Sequence, residues 1–365
     1  MATLGFADLR ETDFPSLWDE TEILKARLAD GTSIEGMIAD LRSGLQMLNG
    51  SLLDMPHYGM LFAVQDNPEV EYPIGVSNGF EVASEYGVPS PRRGATTGHM
   101  LPLVAYDRAL GWTMRYLRKA RSNKLDADVR SVVVDARAIW QQKLLTRFFS
   151  SSGNTVGSTS NADVPFADAA ATDSTYVPPD SPEGESFDTS HTHFLRHASI
   201  SDTNLGTTIE HLQEHGHQSP FDIIASRTDA SSWTGLTGYK APEWPGVVYH
   251  ASAVERADVG EVSNYFGYVE TDYGICRVWL TPRVPTNYYG AYKAYGAGDP
   301  RNPLRVRIDR NVGFGFTLVD GNWVNLPTHL VVVYTEFGVG IGEDRTNGVC
   351  VEIDSSGSYA SPTIS

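Results

Sequence analysis

Residues 70–104 read VEYPIGVSNGFEVASEYGVPSPRRGATTGHMLPLV, and the assignment of this stretch decides the fold. It is rich in β-formers, glycine and proline, which predicts two long, irregular strands joined at a tip near Pro89–Gly94. A two-stranded ribbon is marginal in water when it stands alone. A ribbon over 58–105 has few ways to bury both faces within one subunit, so a neighbouring chain is the natural surface for it.

The flanking segments are helical in pattern. Residues 16–48 predict two helices, the second with Ile34, Met37, Ile38, Leu41, Leu45 and Leu48 along one stripe. Helix is also predicted over Tyr106–Ala120 and, longer, over Leu125–Phe149. In the latter, Leu125, Val129, Val132, Ala136, Ile139, Trp140, Leu144 and Phe148 share a face. At about 1.5 Å per residue this spine approaches ~40 Å. Residues 106–150 hold ten Lys/Arg against four Asp/Glu. Residues 151–190 hold no Lys or Arg and seven Asp/Glu. A loop of that length is either disordered or clamped against another surface, and its sign complements the basic helices, within one chain or between chains.

Residues 202–302 predict an α/β lobe: a helix over Asp202–His215 stopped by Gly216, the strand FDIIAS, a short helix near 230–237, and strands after Gly260. The rest reads as strand: LRVRI, GFGFTLV with an Asp320-Gly321-Asn322 turn, HLVVVYTEF and GVCVEI.

Composition narrows the function. The 365 residues carry a net charge of −17, which disfavours tight non-specific nucleic-acid binding but allows a surface that surrounds DNA without trapping it. Two cysteines, Cys276 and Cys350, make no disulfide framework and no zinc spacing, although the two could meet in space. The acidic N-terminus lacks the apolar core of a secretory signal, and no run of eighteen apolar residues predicts a membrane span.

Chemistry is sparse. Six of the ten histidines fall in HTHFLRH (191–197) and HLQEHGH (211–217). His211 and His215 are four apart on a predicted helix, and His191 and His193 alternate as on one face of a strand. The zincin pattern needs glutamate directly after the first histidine, and here Leu212 stands there. Structural histidines, with pH-sensitive contacts as a secondary role, are therefore the expectation, and neither a metal nor a cofactor is expected. Gly75-Val76-Ser77-Asn78-Gly79 matches a nucleophile elbow in letters, but a strand-like segment follows it instead of a helix. Gly338–Gly342 lacks the rest of a dinucleotide fingerprint. The sequon Asn49-Gly50-Ser51 means little without a secretory signal. Tyr288, Tyr289, Tyr292 and Tyr295 supply either core packing or a contact between subunits. No catalytic set is complete, so no enzymatic activity is expected.

Several stretches, in order, carry a resemblance. YDRALGWTMRYLRKARSNKLDADV (106–129) and KLLTRFFSSSGNTVGS (143–158) come first, followed by HTHFL (191–195) and LQEHGH (212–217). PRVPTNYYGAYKAYGAGDPRNPLRVRI (282–308), GFGF (313–316) and EFGVGIGEDRT (336–346) complete the set. In this combination the chain resembles the major capsid proteins of tailed bacteriophages, which share the Hong Kong 97-like capsid fold. The resemblance implies an α+β chain with an N-terminal arm (1–57), an E-loop (58–105) and a P-domain (106–197) that contains the spine helix 125–149 and the acidic loop 151–190. An A-domain (198–300) and C-terminal P-domain strands (301–365) follow. It also implies self-assembly through hexamers and pentamers into an icosahedral shell around double-stranded DNA. Scaffold, portal and decoration proteins would be partners, with the chain in the virion after assembly in the host cytoplasm, away from any membrane. Residues 58–105 contain no lysine, so the covalent E-loop crosslink of some relatives is not expected. Arg92 and Arg93 at the tip would instead pair with acidic groups of a neighbour, in the 151–190 loop, and Tyr288, Tyr289 and Tyr292 are further candidate contacts. An encapsulin-type compartment shell shares the fold and is the first alternative. A metal-dependent hydrolase built on His191, His193, His211 and His215 is the second.

Overall fold

The computed structural model describes residues 34–54, 56–59, 61–74, 95–113, 116, 119–153, 163–173, 176–242, 264–320 and 328–364. The chain divides into two units: residues 1–49, 105–137 and 315–335 in one, and residues 50–104, 138–314 and 336–365 in the other.

In the first unit, α1 (Ile34–Asp54) buries Met37, Ile38, Leu41, Leu45 and Leu48, the stripe its 3.6-residue period lays on one face. It lies on α3 (Ser122–Phe148), where a Cβ on Gly44 would sit 3.6 Å from Val133. Asn49 clasps the opposite segment twice: its Nδ2 donates to Phe316 O (3.0 Å) and its Oδ1 accepts from Phe316 N–H (2.8 Å). The sequon asparagine thus has its amide engaged in packing. Asn49 also presses on Gly315, whose φ of +100° is the left-handed conformation that glycine tolerates.

The expected helix over Tyr106–Ala120 is corrected by the structure: its first part is strand β4 (Val104–Thr113), which pairs with β13 (Thr328–Ile341). Leu110 and Trp112, two residues apart, both bury while Ala109, Gly111 and Thr113 are exposed, the alternation of pleated backbone. Tyr106 and Leu110 are also four apart, so apolar spacing in this short run fits either period. Arg108 joins β4 to α3, donating to Ser131 O (3.0 Å) and Ser131 Oγ (2.9 Å) and pairing with Asp135. Strand β12 (Thr317–Asp320) completes this side, Thr317 facing Tyr334 of β13.

The second unit holds the larger core. Its sheet runs β5 (Phe194–His197), β14 (Val349–Ile353), β10 (Tyr288–Tyr292), β6 (Phe221–Ser226), β9 (Gly274–Thr281), β8 (Tyr265–Thr271) and β7 (Tyr239–Lys240). β6 is buried along its whole length: Phe221, Ile223, Ile224 and Ala225 supply apolar side chains to a central strand covered on both faces, and the buried Asp222 among them is satisfied by Arg277 (2.5 Å) and the Trp279 indole N–H (2.8 Å). Helix α4 (Asp202–Gln213) packs Leu205, Ile209 and Leu212 into the cluster formed by Phe221, Ile223, Trp233, Val278 and Val351. β5 and β14 belong to this sheet although they flank 198–300 in sequence, so the borders expected at 197/198 and 300/301 are not sheet edges. Cys276 and Cys350 are free and buried; β10 and β6 lie between their strands, a gap of roughly 14 Å at the usual strand spacing.

A second sheet segment pairs β1 (Phe62–Gln65) parallel to β11 (Leu304–Ile308), and β11 antiparallel to β13 residues 337–341. The ribbon is present at its base: β2 (Glu69–Ile74) and β3 (Ala95–Met100) pair in register from Glu69/Met100 to Ile74/Ala95. Val70, Tyr72 and Leu101 at that base pack on Ala167 and Tyr176 of the same chain. The tip at 75–94, with Arg92 and Arg93 and the Gly75–Gly79 motif, lies outside the described residues, as does the expected helix within 16–33.

Candidate functional site

Two constellations concentrate the chain's buried polar chemistry. The first clamps the acidic loop. Arg147, near the end of α3, is almost fully buried; its Nε lies 2.8 Å from Asp163 Oδ2, and its two terminal nitrogens donate to Ser152 O (2.8 Å) and Val164 O (2.6 Å). Arg345 does the same further along: Nε donates to Pro165 O (3.0 Å), Nη2 to Asp173 Oδ2 (2.6 Å) and Nη1 to Tyr72 Oη (3.3 Å). The Arg345 guanidinium also stacks 3.9 Å from the Tyr176 ring centre. Of the two fates open to the long acidic loop, its described residues follow the clamped one, within the chain, and the helix-to-loop charge complement is realised by Arg147 with Asp163. Burial pushes Asp163 up to about 6, opposed by Arg147 beside it.

The Gly338–Gly342 run is explained by the same neighbourhood. A Cβ on Gly338 would sit 1.9 Å from Pro102 O, and one on Gly340 would sit 2.3 Å from Leu101 Cδ2. Glycine here admits close backbone approach at the base of the ribbon, not a phosphate.

The second constellation is the histidine cluster. Helix α4 closes in a Schellman turn: His217 N–H donates to Leu212 O (3.2 Å), Gly216 N–H donates to Gln213 O (2.8 Å), and Gly216 takes φ +87°. This turn sets His215 at the helix end. Opposite it runs the extended segment before β5, held by the Thr192 bridge to Asp168 and by His193 N–H donating to Ala167 O (2.8 Å). The alternation of His191 and His193 brings both rings to His215. Their Nε2 atoms stand 3.1 Å (191/193), 3.0 Å (191/215) and 3.1 Å (193/215) apart. His193 is fully buried and its Nδ1 donates to Gly348 O at 2.9 Å. That bond fixes the neutral tautomer, with the Nε2 lone pair facing the other two rings. Burial, reinforced by neighbouring imidazoles, lowers His191 to about 4 and His215 to about 3, and holds His193 well below the usual histidine value. All three are neutral at pH 7.

His211 does not join them. It stacks on His191 at 5.6 Å between ring centres, with its Nδ1 donating to Thr207 O (3.0 Å). His217 is separate again, against Tyr295 Oη (2.9 Å) and Asp344 (3.3 Å). Of the four histidines weighed as a hydrolase set, the structure brings together three. Tyr289 and Tyr292 lie in the chain's own core, Tyr289 Oη 2.9 Å from Thr208 Oγ1. Tyr288 is partly exposed, its hydroxyl donating to Glu352 Oε1 (3.0 Å). Sequence reasoning passed over Arg345 because its partners, Asp173 and Tyr72, lie 172 and 273 residues away with no spacing to signal them.

No family model matches the chain. No curated protein sequence matches it either. Solved structures do. A chain from Mycobacterium phage Patience superposes with a TM-score of 0.62 at 20% identity, over 94% of this chain and 94% of that one. Looser likenesses include the mature capsid of bacteriophage PhiM1 (TM-score 0.49, 8% identity, 80% of this chain and 85% of that one). The capsid of an empty GTA particle follows at a TM-score of 0.46 and 10% identity, over 84% and 90% of the two chains. The α+β architecture of this chain is the Hong Kong 97-like capsid fold.

Proposed function

We propose that the chain is the major capsid protein of a tailed bacteriophage, a shell subunit without enzymatic activity that assembles into the icosahedral container of a double-stranded DNA genome. The observation that carries the reading is the likeness to a phage chain over nearly the whole length of both chains. A fold shared end to end, with no large inserted domain, fits a subunit whose work is done by its surfaces. The net charge of −17 supports it, since a wall of like charge does not trap the genome during packaging. Among the described residues no helix is long and apolar enough to cross a membrane.

In this reading residues 1–57 are the arm, 58–105 the E-loop, anchored at its base in its own subunit and reaching over an adjacent one, 125–149 the spine and 198–300 the lobe that faces the five- and six-fold axes. The contacts repeat through closed symmetry, so each can be modest. Arg92 and Arg93 at the ribbon tip meet acidic groups of a neighbour. Asp163 and Asp173 are already paired within their own chain, Asp168 is buried and Asp180 half-buried, which leaves the exposed Glu183, Glu185 and Asp188 as partners. Tyr288 is the contact candidate among the tyrosines that retains exposed surface.

The test is expression of the tag-free chain, followed by sedimentation and electron microscopy. Large closed particles are the expected result. Arg92→Glu with Arg93→Glu should give a folded subunit, by circular dichroism, whose particles are fewer and disrupt at lower temperature. Particles of unchanged heat resistance would remove the tip contact from the account.

A further inference from the structure

We propose that His191, His193 and His215 form a binding site for one divalent transition-metal ion, with zinc the best fit, which pins the segment before β5 to the end of helix α4. This goes beyond the shell reading and does not depend on it.

The three ring centres are each 5.0 Å apart, while the three Nε2 atoms are 3.0–3.1 Å apart. The nitrogens are therefore the inward corners of three rings aimed at one point. Around a tetrahedral ion with metal–nitrogen distances of about 2.0–2.1 Å, ligand nitrogens lie about 3.3 Å apart, so an ion needs an outward shift of only a few tenths of an ångström. Three imidazoles suit zinc and its neighbours in the first transition row, whereas calcium and magnesium require oxygen.

Without an ion the arrangement is poorly satisfied. Three neutral rings cannot hydrogen-bond across all three contacts: with the His193 Nε2 a lone pair, at least one pair sets two lone pairs or two hydrogens against each other. The surroundings are those of a metal-ligating histidine: the far nitrogen of His193 donates to a backbone carbonyl, which orients the ring and raises its basicity. That carbonyl belongs to Gly348, where a Cβ would sit 2.4 Å from Phe166 Cζ, so the loop leading into β14 is held closely in place. Phe187 covers the outer side, its ring 4.6 Å from His191 and 4.4 Å from His215. Among the described residues the converging set is these three, so the fourth position falls to water. An ion here ties together segments about twenty residues apart in sequence and, through His193, the start of β14.

Tag-free full-length protein, stripped with chelator and dialysed against zinc, should retain one zinc per chain by elemental analysis. Loading with cobalt(II) should give the intense visible absorption of a tetrahedral site. His191→Gln and His215→Gln, at partly exposed positions, should each lose stoichiometric zinc and the cobalt band while remaining folded. His211→Gln and His217→Gln should keep both. In wild-type protein the melting midpoint should rise with zinc concentration, by mass action on the folded state. Absence of stoichiometric zinc in the wild type overturns the proposal. So does retention of zinc in the double variant His191→Gln, His215→Gln.

Discussion

Asp163→Ala is expected to destabilise the subunit by about 3–5 kcal/mol, because it leaves a buried guanidinium without its counter-charge. Asp163 and Arg147 are almost fully buried, 2.8 Å apart. Asp163 also accepts the backbone N–H of Ile341 (3.2 Å), so the carboxylate joins the acidic loop to β13 as well as to the spine helix. His99 sits 3.8 Å from the same carboxylate. Burial has pushed this histidine down to about 4, so it is neutral at pH 7 and supplies no replacement charge. Urea unfolding of the unassembled subunit at pH 7.5 measures the loss. The double variant Asp163→Leu, Arg147→Met should cost less than the sum of its parts, because it removes both buried charges together, while the Ser152 and Val164 carbonyls and the Ile341 N–H lose their partners in it as in the single variants. A loss below about 1 kcal/mol for Asp163→Ala would mean that the pair is solvated and the loop is not clamped as described.

Trp140→Ala is the second large effect, about 3–5 kcal/mol, from lost transfer energy plus the cavity left behind. Trp140 meets Phe337 at 4.6 Å, Phe314 at 5.3 Å and Phe62 at 5.5 Å between ring centres, the last two edge-on. Its ring gathers the spine helix, β1, β13 and the turn before β12 into one cluster. The indole N–H has no hydrogen-bond partner among the described residues, so Trp140→Phe forfeits none there and should cost only about 1–2 kcal/mol through the change of shape. Denaturant midpoints for the two variants check the ordering. Equal losses in both would show that the site responds to something other than volume.

How far the sequence foretold this arrangement depends on the range of the forces involved. The stripes of α1 and α3 are local: Met37, Leu41, Leu45 and Leu48, or Leu125, Val132, Trp140 and Phe148, are spaced by the helix itself and bury where that spacing puts them. FDIIAS is legible as strand through Phe221, Ile223 and Ile224, but the partners that satisfy its Asp222, Arg277 and Trp279, lie 55 and 57 residues away. Strand β4 was misread because one turn of helix and one pleat compete over a short run, and the partner that decided it, β13, lies more than two hundred residues away. The acidic loop was legible as a charge complement to the basic helices, but Arg345, its second anchor, was not. The histidines were legible as a cluster with a pairing tendency on each half. Their convergence was not, since it rests on the Schellman turn at Gly216 and on the carbonyl of Gly348. The glycine run was read for its letters, and its cause is the approach of Pro102.

The central claim is that this chain finishes its burial on copies of itself. Cryo-electron microscopy of the tag-free chain expressed alone tests it most directly. The account predicts closed icosahedral particles, with the lobe at 198–300 ringing the five-fold axes and the outer part of the ribbon, residues 75–94, reaching an adjacent subunit. A protein that stays monomeric at every concentration and ionic strength tried, or particles in which residues 75–94 touch only their own subunit, would contradict it.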